Sequence, residues 1–597
     1  MPKSKKSSNK HALPAQSAAS IASAFPLGIW AGAVIIALTA CIAYFPFLSG
    51  GFIWDDDMYL TNNKFIGAAD GLYKFWCSTE PIDYYPVSNT TLWIEWRLWG
   101  MHPAGYHVTN LILHIIESLL ILVILRKLAI PGAFLTAVIF AVHPVNVESV
   151  AWIAQRKDML ATLFFLLSIL CYLKCLISIH SDDIQLRPTH GVCGVLAGRW
   201  YWLSLLAFLI GMLSKGSVTM LPVLLLGIIW WLRPLTMRDV VRTAPFFLVA
   251  IALTGVHVWF QTHGIAEVIR SAGFTERLLG AGCVVWFYLY KALLPINLVF
   301  VYPQWQINTT NLLWWLPLLA TVAVTGVLWW YRNSWSRPFF FAWGFFCVAL
   351  VPVMGFTDVY FLKYALVADH YQHIAIIGVI ALASALWSAW CRQGRGGAHW
   401  AAIAAAIAAV GTLAFLTRQL SGQYRDEITL YQATLEKNPA CWMAHNNLGS
   451  ALFDAGRPQE AVEHYEQVLR LKPDHFEAHF NLGVILMQSG RFEEAIEHFR
   501  QVLQFNPDDH EAHNNLAIAL AQTGRPQEAI EHYRQALRLK PDFTEAYFNL
   551  SFAYARIQNY TEAVATARKS LELARSQGRT ELAGQIENWL NSYREGR

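Results

Sequence analysis

Long apolar runs broken by short polar stretches fill the first two thirds of the chain, and each is read as a helix, since a bilayer crossing takes about 20 apolar residues. They fall at 27 to 48, 107 to 125, 132 to 142, 159 to 178, 200 to 213, 217 to 232, 244 to 260, 279 to 298, 312 to 331, 339 to 356, 373 to 390 and 399 to 419. Cytosolic connections carry an excess of Arg and Lys. Arg126 and Lys127, then Arg233, Arg238 and Arg242, then Arg332 and Arg337, then Arg392 and Arg395 mark them here. Two cytosolic loops are joined by an even number of crossings, yet three apolar segments separate 233 to 242 from 332 to 337. One of the three therefore does not cross. The segment 279 to 298, interrupted by Lys291 and Pro295, is the expected one. About eleven crossings follow, with the N-terminus cytosolic and everything after residue 420 on the opposite side.

From residue 438 the pattern becomes a repeat. NPACWMAHNNLG, KPDHFEAHFNLG, NPDDHEAHNNLA and KPDFTEAYFNLS begin at 438, 472, 506 and 540, a period of 34. Each period predicts two amphipathic helices, with Gly closing the first and Pro suiting the start of the second, as in Gly456-Arg457-Pro458 and Gly524-Arg525-Pro526. Period and pattern match tetratricopeptide repeats. The organisation read from the chain is a cytosolic disordered tail at 1 to 26, a membrane domain at 27 to 420, a connecting helix at 421 to 437, four repeats at 438 to 575, and a capping helix and tail at 576 to 597.

Composition narrows the class further. With 55% hydrophobic and only 14% charged residues over 597 positions, the chain cannot be an ordinary soluble globule. A net charge of +4 with no long basic run excludes a nucleic-acid partner. Nine cysteines without a CxxC pair, five of them in apolar segments, make neither a disulfide framework nor a zinc site. Lys3, Lys5 and Lys6 precede a first apolar run too long for a cleaved signal peptide, so that run is read as an uncleaved helix.

Candidate chemistry begins at Asp55-Asp56-Asp57, three carboxylates directly after the first span. Charge at that depth needs a reason. The loop they open, about 50 to 105, carries Trp76, Tyr84, Tyr85, Trp93, Trp96 and Trp99. It predicts one or two helices lying in the membrane surface, where a desolvated carboxylate gains basicity. Ionisable residues recur on the same predicted side: His143, Glu148, Arg156, Lys157 and Asp158, then Lys215, Lys291 and Asp369-His370-Tyr371. Cations from separate places facing a carboxylate cluster suit an anionic lipid head group and a nucleophile that needs a base. His107, His114 and Glu117 on the second span are read as packing or helix pairing in preference to catalysis.

GFIWDDDMYLTNN, YYPVSNTTLWIEWRLWGMHPAGYHVTNLILH, FAVHPVNVESVAWIAQRKDML, LSKGSVTMLP, YLYKALLPINLVFVYP and VADHYQHIA, in that order, resemble successive blocks of the transmembrane and tetratricopeptide repeat-containing O-mannosyltransferases, especially their bacterial branch. The resemblance covers residues 27 to about 575. It implies an all-α chain in which a polytopic GT-C membrane module precedes a tetratricopeptide α-solenoid. By position, Asp55 or Asp56 would be the catalytic base. Arg156, Lys157, Lys215, Lys291 and His370 would face the donor phosphate, with Tyr59, His143, Glu148 and Tyr371 in support. The chain departs from the family at Asp57, Gly216 and His370, and Asp57 is expected to be dispensable.

The activity implied is transfer of a sugar, mannose by the resemblance, from a polyprenyl-phosphate donor to Ser or Thr hydroxyls of extracytoplasmic proteins. A single base and direct displacement invert the anomeric configuration. No cofactor is required, and a divalent metal held by Asp55 to Asp57 with Glu148 is the less favoured alternative. Asn447, Asn481, Asn515 and Asn549 recur at one point of each repeat, preceded by His445, His479, His513 and Tyr547. An amide ladder of this kind can hold a peptide backbone, as in the cytosolic O-GlcNAc transferase that it resembles; capping and packing are the competing explanation. The setting implied is a bacterial inner membrane with the repeats periplasmic. The alternatives are a glycan- or lipid-directed glycosyltransferase and a non-catalytic membrane scaffold that recruits partners through the repeats.

Overall fold

The computed structural model describes residues 28 to 182, 198 to 264 and 269 to 595. The tail expected at 1 to 26 and the last two residues lie outside them. Among the described residues there is no strand. The chain divides into two compact units, Met1–Asp426 and Glu427–Arg597.

Seven helices of the first unit are long and apolar enough to cross a membrane: Trp30–Ser49, Pro103–Lys127, Ile153–Leu176, Met237–His263, Leu312–Trp330, Ile376–Gln393 and Gly397–Tyr424. Ala133–Ala141 and Pro144–Ala151 pass the same test together, bent by 50° at their break, as one bent span or a re-entrant pair. Three shorter apolar helices, Arg199–Ser214, Gly216–Leu232 and Arg337–Val353, match the remaining segments but one. The exception is Phe274–Leu293, which carries Glu276 and Arg277 at its start and Lys291 in its last turn. It covers residues 279 to 293 of the segment at 279 to 298.

Pro103–Lys127 shows how polarity is distributed in these helices. His107, Asn110, His114 and Glu117 recur at helical spacing and are buried, whereas Val108, Ile112, Ile116 and Val123 on the other side are exposed. A membrane helix turns its polar stripe inward because the lipid offers it no hydrogen bonds. The bend at His143-Pro144 has a local cause. Pro144 has no N–H to continue a helix, and the His143 Nδ1 accepts the Val145 amide at 3.3 Å, capping the new segment. The last apolar helix returns to the first and to the bent pair: Ser421 Oγ donates to Ala43 O at 3.3 Å and Gly51 N to Arg425 O at 2.8 Å, while Thr417 Oγ1 donates to Val142 O at 2.7 Å.

The second unit opens with helix Glu427–Lys437 and then repeats a helix pair four times, from Trp442–Asp454 and Pro458–Leu471 to Thr544–Arg556 and Tyr560–Ser576, before the terminal helix Thr580–Glu595. Ala461, Ala495, Ala529 and Ala563 occupy one position of each second helix and are fully buried, where only a small side chain lets neighbouring helices close up. Three inter-helix turns use Gly456, Gly490 and Gly524 at φ of 74°, 73° and 79°, while the fourth places Gln558 there at 60°. A side chain in that left-handed region costs about 1–2 kcal/mol. Gln558→Gly is therefore expected to stabilise the fourth repeat by about 0.5–1 kcal/mol after the entropy glycine adds to the unfolded chain. Amide exchange across Tyr560–Ser576 should slow by about two- to fivefold; unchanged or faster exchange counts against it.

Candidate functional site

The loop after the first span turns sharply at Trp54, whose φ is +45°. Aromatic packing holds it there. Its ring stacks on Trp152 at 5.2 Å between centroids and meets the edges of Phe300 at 5.2 Å and Tyr364 at 5.8 Å. A non-glycine residue in this region persists only where its surroundings over-determine it. The turn delivers Asp55 and Asp56 in different environments.

Asp56 is fully buried. Its Oδ2 accepts the Ile53 amide at 2.9 Å and its Oδ1 the Ala154 amide at 2.7 Å, so both oxygens are taken by main chain. Burial pushes its carboxyl well up, and those two amides pull it back. Asp55 is partly exposed, and its side chain accepts no hydrogen bond among the described residues. Burial pushes its carboxyl up to about 6, opposed by the Lys157 cation and assisted by Asp83. Asp57 is exposed and accepts from Thr61 Oγ1 within the short helical turn Asp57–Thr61.

One cation reaches this loop, and the other ionisable candidates pair among themselves. Lys157, at the start of its span, donates from Nζ to the Tyr59 hydroxyl at 3.2 Å and lies over the Tyr59 ring at 4.6 Å. It forms no ion pair among the described residues. Tyr59 in turn donates to Asp83 Oδ2 at 2.8 Å; burial, then the Asp83 and Asp55 charges, hold its hydroxyl well above the ordinary range. Lys215 pairs with Asp158 Oδ1 at 2.7 Å. Glu148 receives the His370 amide at Oε2, 3.0 Å away, and its Oε1 faces His370 Nδ1 at 2.9 Å without hydrogen-bond alignment. Tyr371 packs on the His370 ring at 4.4 Å.

The remaining sequence candidates are committed to the fold. Arg156 is 1% exposed; its guanidinium donates to Asn110 Oδ1, to Glu95 Oε2 at 2.8 Å and to Tyr106 O at 3.0 Å. Lys291 donates to the carbonyls of Ile296 at 2.8 Å and Asn297 at 3.1 Å, among the rings of Phe287, Tyr290 and Tyr302. The His143 Nε2 faces Ala292 O at 3.2 Å. Burial lowers His370 well below the ordinary imidazole range, with Lys215 adding to the effect, so at neutral pH it offers hydrogen bonds and not charge.

Asp55 to Asp57 and Glu148 do not gather into a ligand set: among the described residues, the His/Cys/Asp/Glu group whose ligand atoms converge is His114, Glu117 and His373. An apolar cavity of about 350 Å³ lined by Ile121, Phe165, Trp231, Phe341, Phe345 and Leu386, among others, contains none of these ionisable groups.

In the second unit the four ladder asparagines are half-buried. Asn447 donates to the Tyr431 hydroxyl at 3.1 Å, Asn515 accepts from Asn514 at 3.3 Å, and Asn549 donates to Asn514 Oδ1 at 3.3 Å. The histidines beside them have partners that the sequence reading missed. His445, His479 and His513 each turn Nε2 to the proline carbonyl six residues earlier at 3.1 Å, which leaves Nδ1 to accept. The acceptor meets Nδ1 of His464, His498 or His532 at 2.9, 2.9 and 3.0 Å. The signal was a second His in phase, nineteen positions on.

Burial lowers all six imidazoles below their ordinary value, His498 to about 4. The folded repeats thus hold fewer protons than the unfolded chain between about pH 6.5 and 4. The stability these pairs contribute is complete above about pH 6.5 and is lost as pH falls through that window. A loss on the order of 1 kcal/mol per pair is expected, given their partial exposure. Hydrogen exchange of the repeats from pH 7 to 4.5, corrected for intrinsic rates, measures it. His464→Gln, His498→Gln and His532→Gln together should flatten the dependence.

A tetratricopeptide-repeat family model matches residues 421–465, 448–510, 486–542 and 514–578. A protein O-mannosyl-transferase of Caenorhabditis elegans is 24% identical over 456 residues, covering 72% of this chain and 61% of that protein. The human protein O-mannosyl-transferase TMTC4 is 24% identical over 503 residues, covering 72% of this chain and 65% of that protein. The chain spans less than two thirds of the length of either relative. Among solved structures, a crystal structure of MamA is 26% identical, covers 26% of this chain and 89% of its own, and has a TM-score of 0.25. The chain is accordingly a homologue of the protein O-mannosyl-transferases that carry tetratricopeptide repeats.

Proposed function

We propose that this protein is a membrane glycosyltransferase that moves mannose from a polyprenyl-phosphate donor to Ser or Thr hydroxyls of a protein acceptor, with inversion. The observation that carries the reading is the meeting of Asp55 and Tyr59, one turn apart in the same loop, with Lys157 brought from a separate segment beside a carboxyl that burial raises to about 6. Such a carboxyl is ionised at neutral pH, yet basic enough to take a proton from an attacking hydroxyl.

Asp55 is assigned as the base, because its oxygens are uncommitted, and Asp56 as the residue that positions the turn. The acceptor oxygen attacks the anomeric carbon as its proton passes to Asp55 and the bond to the donor phosphate oxygen breaks. Lys157 is the cation we assign to the charge that develops on the leaving phosphate, with Lys215 beside it and shared with Asp158. Arg156 and Lys291 brace the surrounding backbone, and His370 and Glu148 tie their two segments to each other. The chemistry requires no metal at Asp55 to Asp57. The relatives are named protein O-mannosyl-transferases, which supports the reaction class.

The repeats are assigned to the acceptor, with Asn447, Asn481, Asn515 and Asn549 as contacts for an extended backbone. The N-terminus is placed in the cytosol of a bacterial inner membrane, with loop and repeats periplasmic. The test is transfer from polyprenyl-phosphate-mannose to acceptor peptides by the purified full-length chain. Binding of peptide without donor binding or transfer would favour a scaffold instead.

A further inference from the structure

We propose that His114, Glu117 and His373 form a site for one divalent transition ion of the zinc class inside the membrane-spanning bundle, separate from the acidic loop. His114 and Glu117 stand one turn apart on the buried face of Pro103–Lys127, and His373 enters from the turn before Ile376–Gln393. The three are 0%, 0% and 2% exposed, and their ligand atoms lie within 4.8 Å of one another.

The outer nitrogens fix which atoms face inward. His114 Nε2 lies 3.2 Å from Ala141 O, which can only accept, so Nε2 carries the hydrogen and Nδ1 the lone pair. His373 Nδ1 lies 2.9 Å from Asn146 Oδ1, and Asn146 is oriented by its own amide, which donates to Phe140 O at 2.8 Å. Nδ1 of His373 therefore donates, and Nε2 holds the lone pair. Both lone pairs point at one carboxylate: Glu117 Oε2 is 3.1 Å from His373 Nε2 and 3.7 Å from His114 Nδ1.

Three acceptors converging in a buried space repel one another unless something positive lies between them. A proton on Glu117 would serve His373 but leave His114 Nδ1 and Glu117 Oε1 with no hydrogen-bond partner, as they stand now. A divalent ion satisfies all three residues at once. Two imidazole nitrogens with one carboxylate suit zinc and its neighbours, whereas calcium and magnesium prefer oxygen throughout. The outer hydrogen bonds to Ala141 O and Asn146 are the orienting partners that metal-bound histidines use. Tyr44, buried with an unpartnered hydroxyl and a ring 5.4 Å from that of His114, carries a further oxygen on the same wall.

Such an ion would tie the second span to the bent span, through Asn146, and to the segment that carries His370. Glu148 and His370 lie two and three residues from Asn146 and His373 in the chain, so the ion would fix the segments that carry them without taking part in transfer.

Elemental analysis of the full-length protein, purified in detergent without chelator, is expected to find about one zinc-class ion per chain. Exchange for Co²⁺ should give visible absorption bands of nitrogen–oxygen ligation. Glu117→Gln and His373→Ala should abolish both signals, Asn146→Ala should weaken binding about 10–100-fold, and Asp55→Asn should leave them intact. Wild-type protein that binds neither Zn²⁺ nor Co²⁺ would overturn the proposal, and would leave a proton as the link from Glu117 to His373. Stoichiometry unchanged in both Glu117→Gln and His373→Ala, or lost in Asp55→Asn, would overturn it equally.

Discussion

Asp55→Asn is expected to lower sugar transfer by about 10²–10⁴-fold while leaving the protein folded. The asparagine keeps the shape of the side chain and removes its capacity to accept a proton. In the wild type, kcat/KM should fall about tenfold per pH unit below about 6, the value to which burial raises this carboxyl, and should level off above it. Stability separates the neighbouring aspartates. The folded pKa of Asp55 lies above its unfolded value, so its ionised form opposes folding at neutral pH, and the Asn variant should melt at the wild-type temperature or higher. Asp56→Asn differs, because two amides donate to its two oxygens. An asparagine offers one acceptor and one NH₂, which leaves a main-chain N–H unsatisfied at a cost of about 1–3 kcal/mol. Its loss of transfer should therefore come with a lower melting temperature. Full transfer by Asp55→Asn across the pH range would remove it as the base.

Arg156→Met should destabilise the membrane unit by about 3–5 kcal/mol, the largest stability effect anticipated for a single substitution in this chain. The reason lies in what is left behind. Glu95 is itself buried, and its carboxylate would lose the cation 2.8 Å away; Asn110 Oδ1 and Tyr106 O would lose their donors as well. The double variant Arg156→Met, Glu95→Gln should recover part of the loss, since no charge is then stranded. Melting of single and double variants in one detergent gives the coupling. A wild-type melting temperature for Arg156→Met, together with a raised KM for the polyprenyl-phosphate donor, would return Arg156 to the donor site.

Which segments are helices and where the repeats begin could be read from the chain, because a bilayer demands a minimum apolar length and a solenoid demands a fixed period. The segment around Lys291 and Pro295 stands apart in the chain by its charges, which the helix Phe274–Leu293 keeps as Glu276, Arg277 and Lys291. The roles of individual cations could not be read. Arg156 and Lys157 are adjacent, but a rotation of one residue turns the first toward Glu95 and Asn110 and the second toward Tyr59. That choice is made by helix packing across dozens of intervening residues. Glu117 and His373 are 256 positions apart, and no local pattern joins them. The His pairs of the repeats were legible in principle, because their spacing recurs with the period, but a single His in each repeat is the feature that draws attention.

The tie from Asp56 to residue 154 has an evolutionary consequence. Its partner there is a main-chain amide and not a side chain, and every amino acid except proline supplies that N–H. Position 154 is itself buried, so packing and not this bond restricts its side chain, and any residue that fits there keeps the turn at Trp54 anchored; diverging descendants should keep the aspartate even where another small residue has replaced the alanine.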